Sequence, residues 1–277
     1  MDDAKSGVID TSRVGIICEG GGFSAAYSVG YLKAVEETGL RISYCQGVSS
    51  GALIASKFVE MGGSGAAAAL EEIWLAVERN GPHKIFSTKE AVLRVAQSKN
   101  SIYSNFGLRL LIRPLDCKKI VDSPVKFDIV TRNESRSDYA IISSRDSWIR
   151  ENPERLRDVI LASSSLRGLL PPVRIGDEIH SDGISGIIGR AIGECTLIFH
   201  FLNSMPKPTA TEDEPWYKRL ADGIHDTYHI IGQKDLLQAE TINRDLRILA
   251  MKSENAPISA LLAEMRQKLA RLLFDRD

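Results

Sequence analysis

The chain has no apolar run long enough to cross a bilayer, which takes about 20 residues. The nearest approach, Ile187 to Leu202, is interrupted by Arg190, Glu194 and His200. The opening stretch, MDDAKSGVIDTSR, is acidic and has no apolar core of the kind a secretory leader needs, so a cytoplasmic location is expected. Charge of one sign is also missing. The 35 basic and 36 acidic residues give a formal net charge of −1. No global field would draw the chain to nucleic acid or to an anionic membrane. Only four cysteines are present (Cys18, Cys45, Cys117 and Cys195), and no two are close enough for a CxxC pair. That spacing excludes a zinc knuckle and a disulfide framework and fits a reducing compartment. HExxH, EF-hand and P-loop patterns are absent, so no metal site and no cofactor is expected.

What is present is enough apolar sequence, 43% of 277 residues, for a sizeable core. Residues 14–18 (VGIIC) are an unbroken apolar run that predicts a buried strand. A glycine cluster follows, then a helix over about Ser24–Thr38 that stops at Gly39. Residues 41–46 predict a second strand, Gly47–Gly51 a turn, and ALIASKFVEM a second helix. This repeated order of strand, glycine turn and helix is the rhythm of a parallel sheet with crossover helices. Gly62–Trp74 predicts a helix after a glycine-rich start. Residues 102–124 show no clear period. Further on, strands are predicted at 125–131, 138–143 and 196–202, the last of them buried, and a helix at 155–164. A hairpin is predicted to join 172–175 and 178–181 across Gly176–Asp177.

Three segments could carry chemistry. Gly47-Val48-Ser49-Ser50-Gly51 fits G-x-S-x-G between a strand and a helix. That pattern lifts a serine hydroxyl clear of the sheet on a strained turn, with glycines letting neighbouring backbone approach. The bland alternative is a helix start merely capped by Ser49 or Ser50. Gly20-Gly21-Gly22 lies between the first strand and its helix, where backbone N–H groups can hold an oxyanion. Gly20-x-Gly22-x-x-Ala25 also fits a dinucleotide fingerprint. That reading wants an acid at the end of the second strand, and Cys45-Gln46-Gly47 supplies none. Finally, Asp182-Gly183 follows a short strand, where a carboxylate could take a proton from a nearby hydroxyl; taken alone, Asp-Gly is a turn. The five histidines include His200, His225 and His229, which come after Asp182 and would complete a Ser-Asp-His order. His200 sits in an apolar run and reads as a satisfied core residue.

Together these segments resemble the patatin-like phospholipase family. Gly20–Gly22, Gly47–Gly51 and Asp182-Gly183 come in its order. Gly30-Tyr31-Leu32-Lys33-Ala34 with Glu37-Thr38-Gly39 is similar to its first helix. Ala162-Ser163-Ser164-Ser165 with Pro171-Pro172 is similar to the segment before its aspartate. The likeness covers about residues 14–202. It implies an α/β three-layer sandwich around a mostly parallel central sheet and a lipid or other acyl-ester substrate. It also implies a Ser49–Asp182 dyad without histidine, an oxyanion hole at Gly20, Gly21 and Gly22, and no metal. Such a substrate would allow transient contact with a membrane surface. The family's G-G-G-x-R-G reads Gly20-Gly21-Gly22-Phe23-Ser24-Ala25 here, and Ile184 stands where glycine or alanine is common. The missing arginine leaves room for a weakly catalytic relative that binds lipid or a partner.

The expected organisation is a tail at 1–13, a catalytic core at 14–202, and a loop with closing helices at 203–277. An apolar stripe from Ile258 to Leu273 in the last helix reads as a docking face and not as a membrane anchor.

Overall fold

The computed structural model describes residues 12–201, apart from 81–84, 98 and 184–185. The expected tail (all but residues 12 and 13) and the expected loop and helices of 203–277 lie outside the described residues, as does Ile184.

In chain order the elements are β1 (Val14–Cys18), a 3-10 turn (Gly22–Ala25), α1 (Ala26–Glu37), β2 (Ile42–Val48), α2 (Ser50–Glu60) and α3 (Ala66–Asn80). Then come α4 (Thr88–Ala96), α5 (Phe106–Ile112), α6 (Cys117–Asp122), β3 (Lys126–Asn133) and β4 (Asp138–Ser143). The series ends with α7 (Ser147–Glu151), α8 (Arg155–Ser163), β5 (Val173–Ile175), β6 (Glu178–Asp182), α9 (Gly189–Glu194) and β7 (Leu197–Phe201).

The seven strands form one sheet in the order β5-β6-β3-β2-β1-β7, with β4 also paired to β3. β7, β1, β2 and β3 run parallel to their neighbours; β3–β4, β3–β6 and β5–β6 are antiparallel. The parallel centre is where crossover helices are needed, and every residue of β1 is buried, as a strand covered on both faces must be. The expected hairpin forms, with Ile175 opposite Glu178 across Gly176–Asp177.

One face of the sheet carries the main core. α2 and α8 pack directly on it and α1 packs on α3. Ile16, Ile54, Phe58, Phe127, Ile129 and Ile160 are buried together there. Each such side chain withdrawn from water contributes about 2 kcal/mol. On the other face a smaller cluster joins Ile17 and Tyr44 to Ala191 and Cys195 of the α9 region. The sheet is therefore flanked by helices on both faces. The four cysteines are buried free thiols.

Three sequence readings are corrected. The first helix begins at Ala26, because Gly22–Ala25 is wound as a tighter 3-10 turn, a common form at helix N-termini. Residues 102–124 hold two short helices, α5 and α6, whose lengths of 7 and 6 residues are too small to display a period. The late strand is half-buried except at Phe201, since among the described residues β7 ends the sheet order with β1 as its partner.

Candidate active site

Ser49 follows the last residue of β2 and immediately precedes α2. Its backbone, at φ 55° and ψ −131°, lies in a region that non-glycine residues avoid. The turn can be this sharp because of what surrounds it. A Cβ on Gly51 would stand 2.1 Å from the Cys18 carbonyl oxygen, so only glycine lets β1 pass so close. A Cβ on Gly47 would stand 2.6 Å from Ala52 Cα. Ser49 occupies the N-cap place of α2 yet makes no capping bond with its side chain. Its hydroxyl donates instead to Asp182 Oδ2 at 2.7 Å.

Asp182 arrives there through strand register. β4 lies along one edge of β3 opposite 128–133. β2 lies along the other edge, ending with Val48 opposite Val130. β6 continues that second edge, with Asp182 opposite Thr131. The residue after Val48 therefore meets the end of β6. The Asp182 N–H donates to the Ser165 carbonyl at 3.0 Å, which ties the strand end to the chain leaving α8.

Two serines that the sequence reading assigned no role hold this arrangement. Ser163, fully buried, accepts from the Ser49 N–H at 2.9 Å and donates to the Val130 carbonyl at 2.7 Å. Ser164 donates to the Ser49 carbonyl at 3.0 Å. The strained backbone of Ser49 is thus gripped at both its N–H and its C=O. The only signal in the sequence was the serine run closing a helix. Gly20 is packed against the Ser49 turn: a Cβ there would stand 2.8 Å from Ser49 Cβ. Gly22 borders the same cleft as Ser49 and Ser164.

The profile of patatin-like phospholipases matches residues 16–184, well over half of the chain. The chain belongs to the patatin-like phospholipase family. No curated protein sequence matches it. Among solved structures it is similar to VipD from Legionella pneumophila, at 12% identity and a TM-score of 0.38 over 69% of this chain and 49% of that one. It is also similar to the type III effector protein ExoU, at 12% identity and a TM-score of 0.34 over 82% of this chain and 53% of that one. The chain spans about half the length of either structure.

The two described histidines, His180 and His200, are paired with other residues. His200 Nε2 lies 2.6 Å from Glu19 Oε1, with its side chain 25% exposed, so it is a paired residue at the margin of the sheet and not a core one. His180 pairs through Nδ1 with Thr131 Oγ1 at 3.0 Å. His225 and His229 lie outside the described residues. Asp182 is partly buried, and desolvation pushes its carboxyl well above the usual carboxylate range; the Ser49 hydrogen bond pulls more weakly the other way. Among the described residues, no three potential metal ligands converge.

From Ser49 a cleft runs between α2, α3 and α5. Leu53, Ile54, Leu70, Trp74, Leu108 and Leu111 line it. Sequence reading could not foresee it, because the α5 wall lies in the stretch without a period. Among the described residues no helix is long and apolar enough to cross a membrane.

Proposed function

We propose that this protein is a lipid acyl hydrolase that cleaves carboxylic esters through an acyl-Ser49 intermediate. The observation that carries the reading is the 2.7 Å hydrogen bond from a strained-turn serine, which lines an apolar cleft, to a partly buried carboxylate. Asp182 Oδ2 takes the hydroxyl proton as Ser49 Oγ attacks the ester carbonyl carbon. Negative charge develops on the carbonyl oxygen, where the backbone amides of Gly20, Gly21 and Gly22 receive it. One such donor is worth about 3 kcal/mol in a water-poor site. Collapse of the tetrahedral intermediate expels the alcohol, which leaves with the proton held by Asp182. Water then attacks the acyl-serine, with Asp182 again as base, and free acid is released.

Burial supports the role given to Asp182. A carboxylate raised toward neutrality is a stronger base than an exposed one and accepts the proton with less driving force wasted. The apolar lining suits the acyl half of a lipid. The chemistry described needs no metal.

The deciding experiment is turnover of a p-nitrophenyl acyl ester by the protein and by Ser49→Ala, with labelling by a fluorophosphonate. Hydrolysis and labelling that both vanish in the variant support the reading. Labelling of another serine, or undiminished hydrolysis in Ser49→Ala, overturns the nucleophile. A folded protein that turns over no ester is the weakly catalytic, lipid-binding relative that Ser24 leaves room for.

A further inference from the structure

The cleft leaving Ser49 follows one stripe of α2: Ser50, then Leu53 and Ile54, then Lys57, at the three- and four-residue steps that share a helix face. Its other walls are apolar. Among the described residues lining it, Lys57 is the one ionisable side chain. Lys57 also borders a second, open recess, which it shares with the charged residues Asp116, Lys118 and Asp122. It therefore stands between an apolar cleft that begins at the candidate nucleophile and a wet surface.

Lys57 is held in that place. Its Nζ lies 2.7 Å from Glu60 Oε2, and the two side chains are only 25% and 7% exposed. The second oxygen of Glu60 accepts the Asp116 N–H at 3.0 Å. The carboxylate that anchors the lysine is itself pinned to the turn before α6. An alkyl chain advancing along α2 would have to break an ion pair and leave Glu60 enclosed without a countercharge, which costs far more than another buried methylene returns.

We propose that Lys57, clamped by Glu60, is the stop at the far end of the acyl-binding cleft and sets the longest acyl group the site accepts. This rests on the acyl-ester reading above. Lys57 lies eight positions beyond Ser49, about 12 Å along the helix axis. With carbon–carbon bonds of about 1.5 Å, an extended chain advances roughly 1.3 Å per methylene, so the span holds about nine carbons. The site is therefore built for medium-chain acyl groups. Each methylene up to that length should improve kcat/KM by about threefold to fourfold, and each one beyond it should not.

The test uses p-nitrophenyl octanoate, laurate and palmitate with the full chain and with the double variant Lys57→Ala/Glu60→Gln. The glutamine removes the charge that would be stranded and keeps an acceptor for the Asp116 N–H. The expected result is a rise of about tenfold or more in the laurate-to-octanoate ratio of kcat/KM, with Lys57→Arg keeping the original ratio. A ratio that does not move in the double variant overturns the stop. Calorimetric titration of octyl and dodecyl alcohol into Ser49→Ala, with and without the double substitution, reads the same boundary without catalysis. Dodecanol binding that strengthens only when Lys57 and Glu60 are replaced supports the stop; length dependence that is unchanged sinks it. Absence of Ser49-dependent ester turnover would instead overturn the hydrolase reading, and the titration would still decide the boundary.

Discussion

Val48 and Asp182 occupy successive places along one edge of β3, opposite Val130 and Thr131 respectively. One belongs to a parallel partner strand and the other to an antiparallel one. Two strands of opposite direction end nose to nose there, so the residue after Val48 and the last residue of β6 meet across 2.7 Å. Residues 133 positions apart in sequence are thereby brought within side-chain hydrogen-bonding distance by backbone ladders.

The strain at Ser49 has a measurable consequence. Ser49→Ala and Ser49→Gly both remove the hydroxyl and should both reduce ester turnover by at least about a thousandfold. They should differ in stability. Glycine relieves a backbone conformation worth about 1–3 kcal/mol and gives back about 0.5–1 kcal/mol in unfolded-state entropy. Ser49→Gly should therefore melt higher than Ser49→Ala in thermal unfolding. Equal or reversed melting temperatures would show that the turn is not strained.

Asp182 should trade stability for activity. Burial raises its pKa above the unfolded-state value, so the folded protein binds this proton more tightly than the unfolded chain does. The contribution to stability is fully present below the unfolded pKa, about 3.9, and is lost as pH rises through the higher folded value. At neutral pH, where the unfolded chain has lost this proton, the buried carboxyl is a liability. Asp182→Asn should then raise the melting temperature at neutral pH, with the gain vanishing in acid, while turnover collapses. The acid limb of the wild-type kcat/KM profile should fall above the usual carboxylate range. A limb at or below about pH 4 would contradict the raised value.

Ser163 should behave as a positioning residue. Ser163→Ala leaves the Ser49 N–H and the Val130 carbonyl without their partner, at about 1–3 kcal/mol for each group. The expected kinetic signature is a fall in kcat of about tenfold or more with KM nearly unchanged, partly rescued by Ser163→Thr. A pure KM effect would place Ser163 at the substrate instead.

His200→Gln should separate a dyad from a triad. Glutamine can still donate to Glu19, whose Oε1 also receives the Gly186 N–H. The loss of kcat should be small beside that of Ser49→Ala. If the two losses are comparable, histidine takes part in proton transfer.

Gly51→Ala should be among the most destabilising single changes in the core. The new methyl would sit 2.1 Å from the Cys18 carbonyl oxygen, and backbone cannot yield as a flexible side chain can. A loss of at least about 2 kcal/mol is expected in denaturant unfolding.

What the sequence by itself determined is what local backbone rules govern. The run VGIIC predicted a buried strand, and glycines at 47 and 51 around Ser49 favoured a sharp strand-to-helix turn over a merely capped helix start. These depend on neighbours within a few residues, as do the hairpin at Gly176–Asp177 and the two strands β3 and β4. Asp182 was legible as a carboxylate at a strand end, but not as the partner of Ser49 except through family likeness. Tertiary structure decided that pairing, because it arises from where β2 and β6 both end along β3. It also decided that Ser163 and Ser164 grip the Ser49 turn and that Lys57 borders two recesses at once. No local pattern encodes these features: each is a meeting of segments tens of residues apart, fixed by strand register and helix packing.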